Sequence, residues 1–505
     1  MVVRIAKVLV ANRGEIAVRI IRACRELSLG TVAIFSEADR EALHVLMADE
    51  AYPIGPAPAT ESYLAIERIV RTAKASGADA VHPGYGFLAE NAAFAEACAE
   101  AGLTFVGPPP AAIRAMGDKT AARRVAREVG VPTVPGTLAP VTSDTEALRV
   151  AGELGFPIMI KAVLGGGGKG MRLVRRSEEL APALRMARGE AGSAFGDASI
   201  YLERAIPEPR HIEIQVMADA HGHIVHLGER ECSIQRRHQK LVEECPSPLV
   251  DPALRERLGE AACRVARAAG YVNAGTVEFL VDAERRVYFL EMNTRLQVEH
   301  PVTELVTGLD LVRDQLRIAA GEPLGYRQED VSWRGAAIEC RVNAEDPFAG
   351  WLPSPGTITA LRAPSGPWVR EDSGIYAGYT VPRYYDTLLA KLIVWGADRS
   401  AAIDRMIHAL AEYRIVGVKT TIPILEGIVS HPDFRAGRLS TGFLDRVMPE
   451  LLPSGGRLTS IAVIAAVLAR YEGLGRGVLL PSPPSPWRWG RPGWTAEHRP
   501  GTDPR

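Results

Sequence analysis

Apolar runs and amphipathic stretches alternate along the N-terminal part of the chain. The runs KVLVA at Lys7–Ala11 and TVAIFS at Thr31–Ser36 are typical of buried strands. Between them, apolar residues recur every three or four positions from Ile16 to Leu27, which predicts an amphipathic helix. Because strands that alternate with helices form parallel sheets, the pattern predicts a parallel α/β domain at the N-terminus.

Two turns in this region are candidate ligand sites. The first βα turn, ANRGE, has Gly14 where a dinucleotide site needs three spaced glycines, so that class of site is disfavoured. The loop His82–Asn91 is rich in glycine and follows a strand, where open α/β sheets bind ligands. A simple tight turn explains its spacing equally well.

A second glycine-rich segment, LGGGGKG at Leu164–Gly170, lies between two strand-like runs. It is not a P-loop, because Gly170 replaces the Ser or Thr after Lys169 and because no helix is predicted to follow. A β-hairpin with a glycine tip can donate backbone N–H groups to phosphates and move as a lid. Lys161, on the strand before it, would be the phosphate cation, unless the hairpin is only a flexible connection. Upstream, Asp118 is a plausible N-cap of a helix.

Polar and apolar residues alternate strictly in the polar segment, EMNTRLQVEHP at Glu291–Pro301. In an extended strand, alternate residues share a face, so the pattern predicts one wall that carries carboxylate, amide and guanidinium groups. These five residues are Glu291, Asn293, Arg295, Gln297 and Glu299. Such a wall is suited to an anion, a metal ion and a proton transfer.

A hairpin upstream of this segment predicts a metal site. If Glu284-Arg285 is a two-residue loop, then Glu278 lies opposite Glu291. Two carboxylates about 5 Å apart repel by roughly 3 kcal/mol at an effective dielectric constant of 20. A divalent cation such as Mg²⁺ would remove that repulsion, with an oxygen of Asn293 as a third ligand. Alternatively, each glutamate pairs with an arginine such as Arg285 or its neighbour Arg286.

Two other segments carry candidate anion-binding residues. The segment Gly228–Glu244 is dense in basic and amide side chains, and Gln235, His238 and Lys240 are its candidates; a solvated charged turn is the alternative. Further on, Arg341 shares a strand face with two other polar residues, although a surface arginine is equally consistent. The strands and a helix from about residue 400 predict an α+β region at the C-terminal side.

Composition limits the classes of protein. The 505 residues include 59 basic and 60 acidic side chains, so no nucleic-acid or membrane-surface partner is expected. Six scattered cysteines without a C-x-x-C pair favour reduced thiols, and no signal-peptide pattern or membrane-spanning run is evident. We therefore expect a cytoplasmic enzyme. The tail at residues 449–505, with its PSPPSPWRWGRPGW stretch, is expected to be partly disordered.

Seven motifs in order resemble biotin carboxylase, the ATP-grasp component of biotin-dependent carboxylases. They are ANRGEIAVRIIRAC, HPGYGFLAEN, MGDK, GGGGKGMR, ECSIQRRHQK, EMNTRLQVEHPVTE and IECRVNAEDP. The resemblance implies an N-terminal α/β domain at 1–115, an ATP-grasp domain at 116–330 with a lid at about 133–204, and an α+β C-terminal domain at 331–448. It also implies ATP, Mg²⁺ or Mn²⁺, bicarbonate, and biotin on a carrier protein.

The resemblance also implies roles for individual residues. Glu278, Glu291 and Asn293 would bind metal, and Arg341 and Tyr85 would contact biotin. Bicarbonate would lie among Lys240, Arg295, Gln297, Val298 and Glu299. The residues expected to hold ATP are Lys119, Lys161, Gly165, Gly166, Gly167, Gly168, Glu203, Arg204, Ala205, Ile206, His211, Gln235 and His238.

The implied reaction begins with phosphoryl transfer from ATP to bicarbonate, which gives carboxyphosphate. Glu299 would be the general base, and Arg295, Arg341 and Lys240 would stabilise the negative charge. Two departures from the family pattern are mild: Val163 and its neighbour precede the glycines in place of smaller residues, and Arg204 replaces a common lysine.

We expect a homodimeric component of acetyl-CoA carboxylase that works with a biotin carboxyl carrier protein and carboxyltransferase subunits. No Met-Lys-Met carrier motif occurs in the chain, so the carrier is expected on another polypeptide unless this chain is a truncated form. The main alternative is the same half-reaction for a propionyl-CoA, other acyl-CoA or pyruvate carboxylase. A carbamoyl-phosphate-type ligase would have duplicated halves, and an inactive scaffold would be expected to lack Glu299 or Arg295.

Overall fold

The computed structural model describes residues 3–141, 143–164 and 170–452. The glycines predicted to form the lid, Gly165–Gly168, lie outside the described residues, as does the tail from residue 453. The last helix runs to Leu451, so the first residues of the predicted tail, from position 449, are helical.

The N-terminal domain is the predicted parallel α/β domain. Its five-stranded parallel sheet has the order β3-β2-β1-β4-β5. The strands are β1 (Lys7–Val10), β2 (Gly30–Phe35), β3 (Glu50–Pro53), β4 (Ala80–His82) and β5 (Thr104–Phe105). The helices are α1 (Gly14–Glu26), α2 (Leu43–Met47), α3 (Ile66–Ala75), α4 (Ala92–Glu100) and α5 (Pro110–Gly117). The predicted apolar face of α1 is buried, with Ile16 and Ile20 at 2% and 0% exposure.

The central domain begins at α6 (Lys119–Glu128), whose N-cap is Asp118 as predicted: its Oδ1 accepts hydrogen bonds from the N–H groups of Thr120 and Ala121. A small antiparallel sheet of order β7-β6-β8 follows. Its elements are α7 (Asp144–Leu154), β6 (Ile158–Ala162), β7 (Arg172–Val174), α8 (Leu180–Phe195) and β8 (Ile200–Arg204).

An eight-stranded sheet connects the central and C-terminal domains. The central domain contributes β9 (Arg210–Ala218), β10 (Ile224–Arg236), β11 (Gln239–Cys245), β12 (Asn273–Val281) and β13 (Val287–Asn293). Its helices are α9 (Pro252–Ala268), α10 (His300–Thr307) and α11 (Leu311–Ala319). The order is β13-β12-β9-β10-β11, and β11 then pairs with the first C-terminal strand. One continuous sheet therefore carries polar groups from both domains.

The C-terminal domain is α+β, as predicted. Its strands are β14 (Ala336–Asn343), β15 (Glu345–Asp346), β16 (Leu352–Pro353), β17 (Gly356–Thr357), β18 (Ala360–Arg362), β19 (Val369–Ser373), β20 (Thr380–Val381), β21 (Leu388–Gly396) and β22 (Arg414–Val416). Its helices are α12 (Arg399–Glu412), α13 (Ile422–Ser430), α14 (Pro432–Arg435) and α15 (Phe443–Leu451). Strands β14, β21 and β19 complete the eight-stranded sheet, and α12 packs its buried Ile403, Met406 and Leu410 into the same core. Among the described residues, no helix is both long and apolar enough to cross a membrane.

The predicted hairpin exists, but the predicted two-residue loop is wrong. Asp282 N–H donates to the Arg286 carbonyl, so three residues form the loop, and Arg285 has a positive φ of 61°. A β-bulge on β13 then shifts the register by one residue between the pair Phe279–Phe289 and the pair Glu278–Glu291. The longer loop and the bulge cancel, so Glu278 does lie opposite Glu291.

Candidate active site

The floor of the site is built by strand register. Glu213 on β9 lies opposite both Arg230 on β10 and Glu278 on β12, and Glu278 lies opposite Glu291 on β13. Because directly opposed residues on neighbouring strands place their side chains on the same face, the sheet brings three carboxylates and a guanidinium together. Glu213 and Arg230 are fully buried at 0% exposure.

The polar segment does not continue as a strand, so the prediction of one extended wall is wrong. Strand β13 ends at Asn293, the chain then bends, and Glu299 is the residue before α10. The polar side chains converge nevertheless through hydrogen bonds. Glu278 Oε1 accepts from Asn293 Nδ2 at 2.9 Å and from Gln297 Nε2 at 3.0 Å.

Lys240 is the central cation of the site. Its Nζ donates to Glu213 Oε2 at 2.6 Å, to Glu278 Oε1 at 3.0 Å and to Glu299 Oε1 at 2.6 Å. Burial lowers the pKa of Lys240, but the surrounding acidic groups outweigh burial and hold that pKa well above its usual value. The amine is therefore a fixed positive charge with all three of its protons engaged.

Glu299 is held between two cations from different domains. Its Oε1 contacts Lys240, and its Oε2 accepts from Arg341 Nη2 at 2.8 Å. Arg341 Nε also donates to Glu243 Oε1 at 2.6 Å, so the guanidinium bridges two carboxylates. Burial raises the pKa of Glu299, but Lys240, Arg341 and Arg230 outweigh it and hold that pKa well below the usual range. Glu299 is thus ionised at neutral pH, as a base must be before it accepts a proton.

Arg295 connects the polar segment to the N-terminal domain. It donates to Glu90 Oε2 at 2.9 Å, to Gln297 Oε1 at 2.8 Å and to Asn293 Oδ1 at 3.0 Å. Glu90 belongs to the loop His82–Asn91, so that loop reaches the site, and a tight turn alone does not describe it.

A second group of charges lies towards the small sheet. Lys161 on β6 pairs with Glu203 Oε1, and Arg123 Nη1 donates to Glu203 Oε2 at 2.6 Å. Lys119, at the start of α6, places its Nζ 2.8 Å from Glu291 Oε2. Burial lowers the pKa of Lys119, but Glu291 outweighs burial and raises that pKa overall. Lys161 and Arg123 are buried and Lys119 is partly buried, and Lys119 N–H donates to the Val163 carbonyl in the segment that precedes the glycines.

The remaining candidates occupy different positions around these groups. His211 Nε2 lies 2.9 Å from Glu278 Oε2, and Gln235 Nε2 lies 3.4 Å from His211 Nδ1. His238 is exposed at the turn between β10 and β11. Arg204 is also exposed, and its side chain donates to the Leu154 carbonyl rather than to the groups above.

Three further candidates complete the set. Ala205 is buried and Ile206 is partly buried after β8. Tyr85 is partly buried, and its hydroxyl has no hydrogen-bond partner among the described residues. Val298 offers its carbonyl, which accepts from Lys391 Nζ at 2.8 Å.

The donors around Glu278 fit a hard divalent cation. Glu278 and Glu291 are direct cross-strand neighbours, and Asn293 adds an amide oxygen on the same stretch of β13. The alternative that Arg285 and Arg286 neutralise these glutamates is wrong, because those arginines contact Asp251 and Asp282. Lys119 and Lys240 are the actual partners, so a bound cation would share both carboxylates with lysines.

Sequence reasoning missed several residues of the site. Glu213, Arg230 and Glu243 are strand residues that surround Lys240 and Glu299, and Arg123 supports Glu203 from α6. Their signal was present as charged residues inside otherwise apolar, alternating strands. The pairing of β9 with β10 shows that Glu213 and Arg230 share one face, and the ion pair with Arg341 shows that Glu243 belongs to the same cluster.

Comparison with known proteins gives matches over most of the chain. Residues 4–113 match the biotin carboxylase N-terminal domain, residues 118–327 the ATP-binding domain of the carbamoyl-phosphate synthase L chain, and residues 339–446 the biotin carboxylase C-terminal domain. A pyruvate carboxylase subunit from Methanothermobacter thermautotrophicus is 54% identical over 87% of this chain and 89% of its own length. "Biotin carboxylase 1" of Bacillus subtilis is 54% identical over 87% and 98%.

A solved structure is similar over the same region. It is the biotin carboxylase domain dimer of Hydrogenobacter thermophilus 2-oxoglutarate carboxylase, in complex with MgADP, ADP and bicarbonate. The TM-score is 0.87 at 51% identity, and the match covers 89% of this chain and 99% of that one.

Proposed function

This chain belongs to the biotin carboxylase family, and on that premise we propose that it carboxylates biotin on a separate carrier protein as the first half-reaction of acetyl-CoA carboxylase. The enzyme class follows from the family: an ATP-dependent ligase that forms a C–N bond. The rival of another class is a carbamoyl-phosphate-type ligase. The carbamoyl-phosphate synthase model matches only the central segment, whereas the segments on either side match biotin carboxylase domains, so this rival is disfavoured.

The observation that best supports this proposal is the position of Glu299. Its carboxylate is fully buried and touches one cation from each of two domains, Lys240 and Arg341. Bicarbonate is a poor electrophile and an anion that must lose a proton. A site for it therefore needs fixed positive charge and an ionised base within the same pocket, and this cluster offers both.

We assign the first step to phosphoryl transfer. A bicarbonate oxygen attacks the γ-phosphorus of ATP, the bond to the β-phosphate oxygen breaks, and Glu299 takes the bicarbonate proton. Lys240, Arg295, Gln297 and the backbone of Val298 hold the anion during this step. Mg²⁺ or Mn²⁺, held by Glu278, Glu291 and Asn293, would neutralise phosphate charge when bound.

We assign the nucleotide to the residues on the lid side of the site. Lys161 and Lys119 provide positive charge for the phosphates, and both are already restrained by glutamates. Glu203, Arg204, Ala205, Ile206, His211, Gln235 and His238 would contact the rest of ATP, and Gly165–Gly168 would donate backbone N–H groups to the phosphates.

In the second step, the carboxyl carbon of carboxyphosphate forms a C–N bond with the ureido nitrogen of biotin. Its C–O bond to phosphate breaks, and the released phosphate takes the proton from that nitrogen. Arg341 and Tyr85 are the residues we assign to biotin. Arg341 suits this role because its planar guanidinium can bind the developing negative charge with two N–H groups. Tyr85 has a hydroxyl without a partner among the described residues, which is consistent with a ligand-facing group.

The acceptor of the carboxyl group depends on a carboxyltransferase partner. We propose acetyl-CoA carboxylase as the simplest assignment, with propionyl-CoA, another acyl-CoA or pyruvate carboxylase as the alternative. The names of the relatives do not favour acetyl-CoA, since the Methanothermobacter relative is named as part of a pyruvate carboxylase and the Bacillus relative only as a biotin carboxylase. Reconstitution with the organism's own carrier and carboxyltransferase, tested on acetyl-CoA, propionyl-CoA and pyruvate, would decide between them.

We further propose a cytoplasmic homodimer with domains at 1–115, 116–330 and 331–448. Six free cysteines, five of them buried, are consistent with a reducing compartment. The similar structure from Hydrogenobacter is described as a dimer, which supports the oligomeric state. Light scattering of the purified chain would test it, and a monomer at micromolar concentration would contradict the proposal.

The central experiment measures ADP release with Mg²⁺-ATP and bicarbonate, with and without free biotin. Release that requires bicarbonate and rises with biotin is expected. Bicarbonate-dependent release without stimulation by biotin would support the first step only. No release from folded protein would contradict the assignment for the isolated chain.

A further inference from the structure

Lys391 is a buried lysine that contacts the backbone of Val298, one of the residues assigned to bicarbonate. It lies on β21 at 0% exposure, and its Nζ donates to the Val298 carbonyl at 2.8 Å. The same Nζ lies 5.8 Å from the centre of the Tyr85 ring. One cation therefore contacts the turn that precedes Glu299 and an aromatic ring of the N-terminal domain.

Strand register places Lys391 beside Arg341, which also contacts the Val298–Glu299 dipeptide. Lys391 lies directly opposite Arg341 on β14, so the two side chains project from the same face of the sheet. Arg341 holds the Glu299 carboxylate, and Lys391 holds the carbonyl one residue earlier. The dipeptide Val298–Glu299 is thus attached to the C-terminal domain at two points.

Fixing the Val298 carbonyl fixes more than one atom. The peptide bond between Val298 and Glu299 is planar, so a restrained carbonyl sets the direction of the Glu299 N–H and of its Cα. The Val298 side chain is apolar and cannot bind an anion, so its contribution to an anion pocket has to come from the backbone. The restrained carbonyl matters for bicarbonate in two ways. It fixes the Val298 Cα, which also belongs to the peptide plane that carries the Val298 N–H, and it orients Glu299, the proposed base.

The charge of Lys391 is balanced by carboxylates that do not touch the polar segment. Glu15 Oε2 lies 3.3 Å and Asp372 Oδ2 lies 3.8 Å from Nζ. Among the described residues, Lys391 is the cation in contact with the Glu15 carboxylate. Burial lowers the pKa of Lys391, but Glu15, Glu339 and Asp372 outweigh burial and also the repulsion from Arg370, so the amine stays protonated.

We propose that Lys391 is a positioning residue for bicarbonate: its Nζ holds the Val298 carbonyl and orients the Val298–Glu299 peptide, with Glu15 and Asp372 as its counter-charges. This inference rests on the proposed function. It differs from a purely structural role, in which Lys391 only satisfies buried carboxylates between the N-terminal and C-terminal domains.

Lys391→Met removes both the hydrogen bond and the charge. Loss of a hydrogen bond from a charged donor is expected to raise the KM for bicarbonate about tenfold or more. The KM for ATP is expected to stay within about twofold, because Lys391 contacts none of the residues assigned to the nucleotide. The Tm should also fall, since Glu15 loses its counter-charge.

A double variant, Lys391→Met with Glu15→Gln, separates the two roles and keeps the test valid if the single variant does not fold. It removes the unbalanced carboxylate, so we expect the Tm to recover while the KM for bicarbonate stays raised. Glu15→Gln alone keeps the bond to Val298 and should leave the KM for bicarbonate within about twofold of wild type. Arg255→Met, which breaks a buried ion pair with Glu229 outside the site, is the matched control for stability.

Recovery of both Tm and bicarbonate KM in the double variant would overturn the proposal in favour of a structural role. Equal increases in the KM for bicarbonate and for ATP in the variants with Met at 391 would also overturn it. If the wild-type chain shows no bicarbonate-dependent ADP release, the proposed function itself fails, and this inference fails with it. If wild type is active and the variants match it, only the inference fails.

Discussion

Replacing Lys240 with methionine removes an amine that Glu213, Glu278 and Glu299 share. In the wild type, its Nζ lies 2.6 to 3.0 Å from an oxygen of each carboxylate. Three carboxylates that bind one amine lie within about 5 Å of one another, and each pair repels by roughly 3 kcal/mol at an effective dielectric constant of 20. Breaking a buried ion pair typically costs about 3–5 kcal/mol.

Partners that remain reduce this cost. Glu213 keeps Arg230, Glu299 keeps Arg341, and Glu278 keeps His211. We therefore expect Lys240→Met to destabilise the fold by about 3 kcal/mol at neutral pH, the lower end of the range. Bicarbonate-dependent ADP release should be lost as well, since the central cation of the anion pocket is gone.

The pH dependence follows from the pKa values of the carboxylates. In the wild type, the pKa values of Glu278 and Glu299 are well below normal, so their contribution to stability is present above the unfolded pKa and is lost as the pH falls through the lowered values. Without Lys240, mutual repulsion raises these pKa values. The carboxylates then destabilise the variant most at neutral and alkaline pH, and protonation relieves this as the pH falls.

The assay is urea unfolding of wild type and Lys240→Met at pH 7.5 and pH 5.5, with midpoints converted by the wild-type m-value. The stability difference should shrink clearly at the lower pH. Arg255→Met removes the partner of a single carboxylate, Glu229. Its loss of stability relative to wild type should therefore change less with pH, and its activity should be normal. A Lys240→Met difference below about 1 kcal/mol, or one that is equal at both pH values, would refute the reasoning.

Three further variants test other parts of the site. Glu299→Gln should lower bicarbonate-dependent ADP release by about 10²–10⁴-fold with the KM for ATP nearly unchanged, and near-normal turnover would remove Glu299 from the mechanism. Arg123→Met leaves Glu203 paired with Lys161 alone, so we expect a raised KM for ATP and an unchanged KM for bicarbonate; the reverse pattern would contradict the assignment. Burial raises the pKa of Glu15 to about 7, so the folded state holds the Glu15 proton more tightly than the unfolded state does. The free energy of unfolding therefore falls as the pH rises from about 4.5 to 7, and Glu15→Gln should remove roughly 3 kcal/mol of that fall. Identical pH–stability curves for wild type and Glu15→Gln would contradict that value.

The periodicity of the chain was enough to predict the classes of the N-terminal and C-terminal domains and several of the strands. Runs such as KVLVA and the helical spacing after it depend on local pattern alone, and they became β1 and α1. The loop of the β12–β13 hairpin was beyond this reasoning, because Glu284-Arg285 lacks the Gly or Asn that identifies a two-residue turn. The predicted pairing of Glu278 with Glu291 is correct only because the bulge compensates for the longer loop.

The grouping of the polar segment's residues was predictable, but their contacts with other strands were not. Alternation correctly grouped the polar residues of the polar segment. The strand ends at Asn293, however, and beyond it hydrogen bonds from Arg295 to Asn293 and Gln297 hold the side chains together. Lys240 was predicted as an anion ligand, whereas its three glutamate partners come from separate strands and a turn. Such contacts depend on sheet order, which a single sequence does not show. Lys391 had the same local signal, a charged residue inside the apolar run TLLAKLIVW, but its contact with Val298 also depends on sheet order.

The cluster around Lys240 contains more carboxylates than lysine and arginine side chains, although the proposed substrate is an anion. The members in direct contact are the cations Lys240, Arg230 and Arg341 and the carboxylates Glu213, Glu243, Glu278 and Glu299. We infer that this surplus of negative charge controls the pKa of Glu299, the proposed base. Without substrate, Lys240 and Arg341 hold the pKa of Glu299 low, so it is ionised but only weakly basic. Bicarbonate that binds these cations must share them with Glu299, which raises the pKa of Glu299 when its proton has to be accepted. Net proton uptake on adding bicarbonate to the wild type, and none in Glu299→Gln, would be the signature; equal uptake in both would refute it.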